Sequence, residues 1–134
     1  MQQKSVLTLS DVQCILDAAR IEAQNNQWAV AMAVVDDGGH PLALLRLDGC
    51  SPFAAYTATD KARTAAMARR ESKVFEDMIN GGRTAFLSAP LSGALEGGVP
   101  IIVDGQVVGA VGVSGVKSAQ DAQIAKAGIN AIET

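Results

Sequence analysis

The chain contains few of the residues that usually carry catalytic or metal chemistry. Among its 134 residues are one histidine and two cysteines. The cysteines, Cys14 and Cys50, are single and far apart, a spacing that fits neither a zinc site nor a disulfide framework, so reduced thiols are expected. The single histidine, His40, cannot be assigned by spacing to a serine or cysteine nucleophile, which argues against a Ser-His-Asp hydrolase.

Positive charge and long apolar runs are also scarce. The formal net charge is −3 at pH 7, whereas binding to nucleic acid or to an anionic membrane needs a basic patch that displaces counterions. No apolar run approaches the length of a membrane span, and the first residues lack the apolar segment of a signal peptide. These features predict a soluble, cytoplasmic protein that binds neither nucleic acid nor membranes.

Small apolar residues are abundant instead. Hydrophobic residues make up 49% of the chain and aromatic residues only 4%, so the core must consist of Val, Ile, Leu and Ala, with helices and strands in close approach. A chain of this length can form one ordinary core but not two, which predicts a single domain over residues 1–134.

Two segments share one plan, and this plan predicts the fold. Residues 31–46 and 101–113 each contain an apolar run, an Asp-Gly turn and a second apolar run, the pattern of a β-hairpin. An alanine-rich helical pattern follows each of them. Because hairpins join antiparallel strands, we expect an α/β (α+β) domain with a mainly antiparallel sheet of about five strands and helices packed on it.

Capping and turn residues predict the bounds of the other elements. A first helix over about 10–25 begins with a capping box at Ser10, or is capped by Thr8, and Ser51-Pro52 begins a second helix that ends near Arg70. The remaining predictions are a short helix over 72–79, an irregular segment or single helical turn over 83–90, a strand over 91–96 and a last helix from Ser118.

The first helix is apolar on two sides. Val12, Leu16, Ala19 and Ala23 form the stripe expected to face the sheet, and Cys14, Ala18 and Ile21 lie roughly opposite. In a chain this small the second side favours a subunit contact, and it could also serve an accessory-subunit role.

Arg46 ends a predicted strand in which Leu42, Leu44 and Arg46 share a face. These leucines are expected in the core. The arginine therefore either ends the core in a surface ion pair with a partner such as Asp48, or points into a cleft where it binds an anion.

Lys61 lies on the second predicted helix with Thr57 four residues before it and Thr64 three residues after it, so the three form a polar stripe. Such a stripe is either a solvated face or the wall of a pocket that offers one ammonium and two hydroxyl groups to an acidic ligand.

The glycine-rich second hairpin places Ala110, Gly112 and Ser114 on one strand face. Their small side chains leave room either for a ligand or for a closely packed helix. The following loop leads into the N-terminus of the last helix, where backbone N–H groups attract anions. The glycine spacing is not that of a dinucleotide-binding loop.

His40 lies in the turn of the first hairpin. A lone histidine in a turn is usually a solvent-exposed residue, but in an oligomer such a turn can meet a neighbouring subunit, and a haem ligand can arise there. Met32, Met67 and Met78 are candidate axial partners, although core packing is the better interpretation for each.

Five motifs, in order, resemble the GlcG/HbpS family of small haem-binding-type proteins, which includes the C-terminal domain of PduO-type cobalamin adenosyltransferases. The resemblance covers nearly the whole chain. The motifs are Val34-Val-Asp-Asp-Gly-Gly-His-Pro-Leu42, Arg46-Leu-Asp-Gly49, Asp60-Lys-Ala-Arg-Thr-Ala65, Gly97-Gly-Val-Pro-Ile101 and Val108-Gly-Ala-Val-Gly-Val-Ser-Gly115.

This resemblance implies a three-layer α/β/α domain, similar to profilin or roadblock folds, that assembles into dimers and often into larger rings such as octamers. It also implies haem binding in some members, often between subunits, and an association of others with glycolate, diol or aromatic-degradation enzymes. The family's Arg-x-Asp-Gly and Lys-Ala-x-Thr-Ala motifs match Arg46, Asp48, Lys61 and Thr64 here. The match favours a pocket lined by Arg46 and Lys61.

The first functional hypothesis is a cytoplasmic homo-oligomer that binds haem or a related small ligand. His40 is the candidate iron ligand, and Thr64, Gly112 and Ser114 are candidate cofactor contacts.

The second hypothesis is an enzyme. Arg46 would bind the carboxylate of a small unsaturated or hydroxy acid, while Lys61 or Asp48 moves a proton in an isomerisation, hydration or elimination. The sequence does not decide whether the protein is a catalyst.

Overall fold

The computed structural model describes residues 1–132, and the last two residues of the predicted domain 1–134 lie outside the described residues. In chain order the elements are α1 (Leu9–Asn25), β1 (Ala31–Asp36), β2 (Pro41–Arg46), α2 (Pro52–Ala68), α3 (Lys73–Asn80), a 3₁₀ helix (Thr84–Ser88), β3 (Gly98–Val103), β4 (Gln106–Ser114) and α4 (Ser118–Asn130). Over residues 1–132, no helix is long and apolar enough to cross a bilayer.

The sheet has four antiparallel strands in the order β2-β1-β4-β3, so the two hairpins join through the central β1–β4 pair. The expected fifth strand over 91–96 is wrong, since this segment forms bends and turns. Its backbone packs against α2 and not against a strand. A Cβ on Gly93 would lie 2.5 Å from the carbonyl oxygen of Asp60, which leaves no space for a neighbouring strand on that side.

Helices cover both faces of the sheet, as the family resemblance implied, and the two cores differ in composition. On the face covered by α1 and α4, the core consists mainly of valine and isoleucine. On the face covered by α2, it is almost entirely alanine. The likeness to profilin or roadblock folds stays a prediction.

Glycine lets α2 lie directly on the sheet. A Cβ on Gly112 of β4 would lie 2.5 Å from the backbone nitrogen of Ala62, and a Cβ on Gly98 of β3 would lie 2.7 Å from the carbonyl carbon of Lys61. An alanine face buries little area per residue, so close approach is what gives this helix its packing.

The ends of α1 are set by local hydrogen bonds. The N-cap is Thr8 and not Ser10: its hydroxyl accepts the N–H of Asp11 at 3.2 Å, and Asp11 accepts the N–H of Thr8 at 2.8 Å. Val12, Ala19 and Ala23 face the core as expected, whereas Ile15 is fully buried and Leu16 only partly. On the opposite side, Cys14 and Ile21 are exposed in this chain, as a subunit contact would require.

Candidate ligand-binding site

The candidate residues divide between the two ends of the sheet. Arg46 and Ser114 both pair with Ala31, the first residue of β1. The turn that carries His40 follows Asp36, the last residue of β1. Five strand steps separate these ends by about 17 Å. His40 therefore does not share a site with Arg46.

Lys61 is buried in an ion pair, so neither interpretation of its stripe holds. Its side chain is 4% exposed, and Nζ donates to the carbonyl oxygen of Val113 at 3.0 Å and to Oδ2 of Asp121 at 3.2 Å. Asp121, in the first turn of α4, also accepts the N–H of Val116 at 3.2 Å. Burial raises the pKa of Asp121, and the charge of Lys61 opposes that rise. The pair ties α2 to α4 at the end of the sheet.

Arg46 is exposed, and so are the leucines that share its face, which corrects the expectation that they belong to the core. Leu42 is 42% exposed and Leu44 is 53% exposed. The reason is that β2 is an edge strand and α2 lies mainly over the other three strands, so that much of this face of β2 is left uncovered. Among residues 1–132, Arg46 and Asp48 do not form the expected ion pair, but both line an open cleft of about 440 Å³ beside Trp28.

The small residues of β4 make room for the helix. The space beside Gly112 could have held a ligand or a closely packed helix. It holds the helix, since the backbone of α2 lies against Gly112. Ser114 is 8% exposed at the end of the strand. Side chains of α4 bind the two N–H groups that precede the helix, because Asp121 accepts from Val116 at 3.2 Å and Gln120 accepts from Lys117 at 3.3 Å.

Thr64 is buried, and its hydroxyl has no hydrogen-bond partner among the described residues. The hydroxyls of Thr57 and Thr59 on the same helix bond to the carbonyls four residues earlier, at 3.0 Å each. Thr64 instead lines a cavity of about 20 Å³ with Met67 and Ser92. That volume suits one water molecule and no larger ligand.

The side chain of His40 is exposed, and a carboxylate holds its ring. The side chain is 78% exposed, and Nδ1 lies 3.0 Å from Oδ1 of Asp36. Asp36 Oδ1 also accepts the backbone N–H groups of Gly38 and His40, both at 2.9 Å. Although partial burial acts to raise the pKa of Asp36, these hydrogen bonds lower it overall. Asp36 and His40 are four residues apart in the first family motif, so this contact is local in the sequence.

The surroundings of this turn combine apolar and cationic side chains. Gly39 packs against Arg63 and Met67 of α2, and Met67 is 43% exposed. The exposed leucines of β2, Leu42 and Leu44, come two and four residues after His40 in the chain. Within residues 1–132, no group of three or more His, Cys, Asp or Glu side chains could hold a metal ion.

Comparison with known proteins gives one family. The sequence model of the family described as "Haem degrading protein HbpS-like" matches residues 7–130. The protein GlcG of Escherichia coli K12 is 58% identical over 114 residues, which cover 85% of each chain.

Solved structures of the same shape include a haem complex. A double mutant of Streptomyces reticuli HbpS superposes with a TM-score of 0.89 and 30% identity, covering 100% of this chain and 92% of that one. The PduOC–haem complex superposes with a TM-score of 0.85 and 27% identity, covering 96% of both chains.

Proposed function

The chain belongs to the HbpS-like family, and on that premise we propose that it is a cytoplasmic homo-oligomer that binds haem, or a closely related planar ligand, at the turn carrying His40. The observation that carries the proposal is the His40 ring. It is held at one nitrogen by Asp36 and is otherwise exposed to solvent. The structural likeness to a protein in complex with haem supports the choice of ligand.

The side chains around the turn suit the parts of a haem. Imidazole nitrogen is a common axial ligand of haem iron. The exposed apolar side chains of Leu42, Leu44 and Met67 supply surface for the porphyrin. Arg63, which contacts the His40 turn, supplies a cation for a propionate. The chain would bind and orient the group, and haem would supply the redox or oxygen chemistry of its iron.

A convex turn covers only one face of a porphyrin, which is why the proposal includes a second copy of the chain. The uncovered face of β2 and the outer side of α1 are the apolar surfaces available for such contacts. Under this proposal Gly112 and Ser114 do not touch the ligand, since α2 covers Gly112 and Ser114 lies at the other end of the sheet. Thr64 lines the same small cavity on α2 as Met67 and does not touch the ligand under this proposal.

A haemin titration with His40→Ala tests the proposal. Wild-type protein is expected to give a saturable, stoichiometric Soret spectrum. Loss of the axial nitrogen is expected to weaken binding by more than about tenfold. Cys14→Ser, Cys50→Ser and Met67→Leu are the controls for other axial ligands and are expected to retain binding. Saturable binding that is unchanged in His40→Ala would contradict the site, and unsaturable binding by the wild type would contradict the function.

A second candidate function is the enzyme hypothesis, reduced to two residues, Arg46 and Asp48. Arg46 and Asp48 line one cleft, so a carboxylate bound by Arg46 would lie near a group that can move a proton. The reduced hypothesis leaves Lys61 out, because its ammonium group is buried in the pair with Asp121.

The reduced hypothesis predicts that a screen of small hydroxy and unsaturated carboxylic acids finds a substrate whose turnover is lost in Arg46→Gln and in Asp48→Asn but not in His40→Ala. Both variants change exposed side chains, so their melting temperatures should equal that of the wild type. Equal turnover by Arg46→Gln and wild type would remove Arg46 from any active site.

A further inference from the structure

The two nitrogens of the His40 ring have different surroundings. Nδ1 lies 3.0 Å from one oxygen of Asp36 and 3.2 Å from the other. Asp36 is an acceptor in its other contacts too, since its Oδ1 accepts the backbone N–H groups of Gly38 and His40. An ionised carboxylate only accepts hydrogen bonds, so in neutral His40 the hydrogen must be on Nδ1. The lone pair is then on Nε2, which makes no hydrogen bond among the described residues.

The backbone of the turn holds the carboxylate of Asp36 in place, whatever the orientation of the imidazole. Two backbone N–H groups, those of Gly38 and His40, donate to the same oxygen of Asp36 at 2.9 Å. Gly38 also makes space for the imidazole: a Cβ there would lie 2.8 Å from Cε1 and 3.0 Å from Nδ1 of His40. The backbone of Gly38 has an ordinary φ, so its lack of a side chain matters for the ring and not for the turn.

From this arrangement we infer that Asp36 is the positioning residue of the proposed haem site: it fixes the tautomer of His40, presents Nε2 as the iron ligand and makes that nitrogen a stronger donor. The inference rests on the proposed function for its ligand, and on the contacts of the turn alone for the tautomer. A carboxylate bonded to the distal N–H of a metal-ligating histidine raises the basicity of the ligand. A stronger donor favours ferric over ferrous iron and lowers the reduction potential of bound haem.

The tautomer can be measured without haem. His40 is the only histidine, so its ring nitrogens are the only imidazole signals in a ¹⁵N-labelled sample. At roughly pH 8.5, above the ordinary range of histidine titration, the wild type is expected to carry its hydrogen on Nδ1. Asp36→Asn retains an acceptor oxygen for the backbone N–H groups, and in it the Nε2–H form is expected to become populated.

Two further variants separate the effect on the ring from effects on the turn. Gly38→Ala is expected to displace the imidazole from Asp36 and to populate the Nε2–H form with little change in melting temperature. Asp37→Asn is the matched control, because Asp37 pairs with Lys4 and Arg69 and not with His40. It is expected to leave the tautomer unchanged. A wild-type ring with its hydrogen on Nε2, or an Asp36→Asn ring identical to the wild type, would overturn the inference.

The haem-loaded protein supplies the second readout. Asp36→Asn and Gly38→Ala are expected to raise the midpoint potential of bound haem above that of wild type and of Asp37→Asn. If His40→Ala abolishes binding but all three potentials equal the wild type, the proposed function stands and the role of Asp36 is refuted. If His40→Ala binds haem normally, the proposed site fails, and the nitrogen signals still decide the tautomer.

Discussion

Replacing Lys61 with methionine is expected to lower the free energy of unfolding by about 3–5 kcal/mol, the usual cost of removing one partner from a buried ion pair. Methionine fills much of the space of the lysine stem. It leaves the carboxylate of Asp121 buried and without its cation, and the carbonyl of Val113 loses a donor. Urea unfolding followed by circular dichroism measures the change.

The pH dependence of this loss has a definite sign. Burial raises the pKa of Asp121 in the folded protein above its ordinary value, so the folded state binds this proton more tightly than the unfolded chain does. Such a group favours folding at low pH, and the contribution is lost as the pH rises through its folded pKa. Removing Lys61 removes the charge that opposes the rise. The penalty of Lys61→Met should therefore be larger at about pH 8 than at about pH 5.

Two controls identify the buried pair as the cause. Lys73→Met breaks the exposed Lys73–Asp77 pair, whose atoms are 2.7 Å apart, and should change stability little because solvent screens exposed charges. The double variant Lys61→Met/Asp121→Leu removes both buried charges and should recover much of the loss. A Lys61→Met protein as stable as wild type at neutral pH would show that Asp121 is not left charged and buried.

Gly112→Ala is expected to destabilise the protein by about 3 kcal/mol or more, at the upper end of the range for overpacked cores. The added methyl group would lie 2.5 Å from the backbone nitrogen of Ala62 and 2.9 Å from its Cβ. Helix backbone cannot rotate aside as a side chain does. The whole of α2 would have to move away from β4, which would also stretch the Lys61–Asp121 pair.

Gly105→Ala is the comparison for this substitution. Gly105 has a φ of +74° and no atom within 4 Å of an added Cβ, so alanine there meets only backbone strain, about 1 kcal/mol. Thermal unfolding should place Gly105→Ala between wild type and Gly112→Ala. If Gly112→Ala is no worse than Gly105→Ala, the helix does not lie as close to the sheet as described.

The local pattern of the sequence predicted most elements, because turns and caps are local. The Asp-Gly turns of both hairpins, the Ser51-Pro52 start of α2 and the start of α4 at Ser118 are where the residues indicated. The residues 91–96 have the apolar content of a strand, but their position is decided by contact with α2, which the sequence does not display. In the same way, the alternation in β2 gives no sign that only one of its faces is covered.

The candidate site was less predictable, since its main contacts are not local. Lys61 looked like part of a solvated or pocket-lining stripe because its partner, Asp121, is 60 residues away. Arg46 and Lys61 come from neighbouring family motifs, and the resemblance favours one pocket for both. In the structure Lys61 pairs with Asp121, whereas Arg46 lines the cleft beside Trp28. The Asp36–His40 contact spans four residues and could have been found. An aspartate in a turn is expected to bond the turn backbone, and Asp36 does so, but it also holds the His40 ring.

The strand order also governs how the chain reaches its native state. Each hairpin closes over a short turn, so β1–β2 and β3–β4 can form early and independently. The β1–β4 ladder pairs Ala31 with Ser114, with most of the chain between them, and it carries a large entropy of loop closure. Both cores lie across that ladder. The folding barrier is therefore expected at the joining of two preformed halves, and the rate should be set by topology more than by the strength of either hairpin.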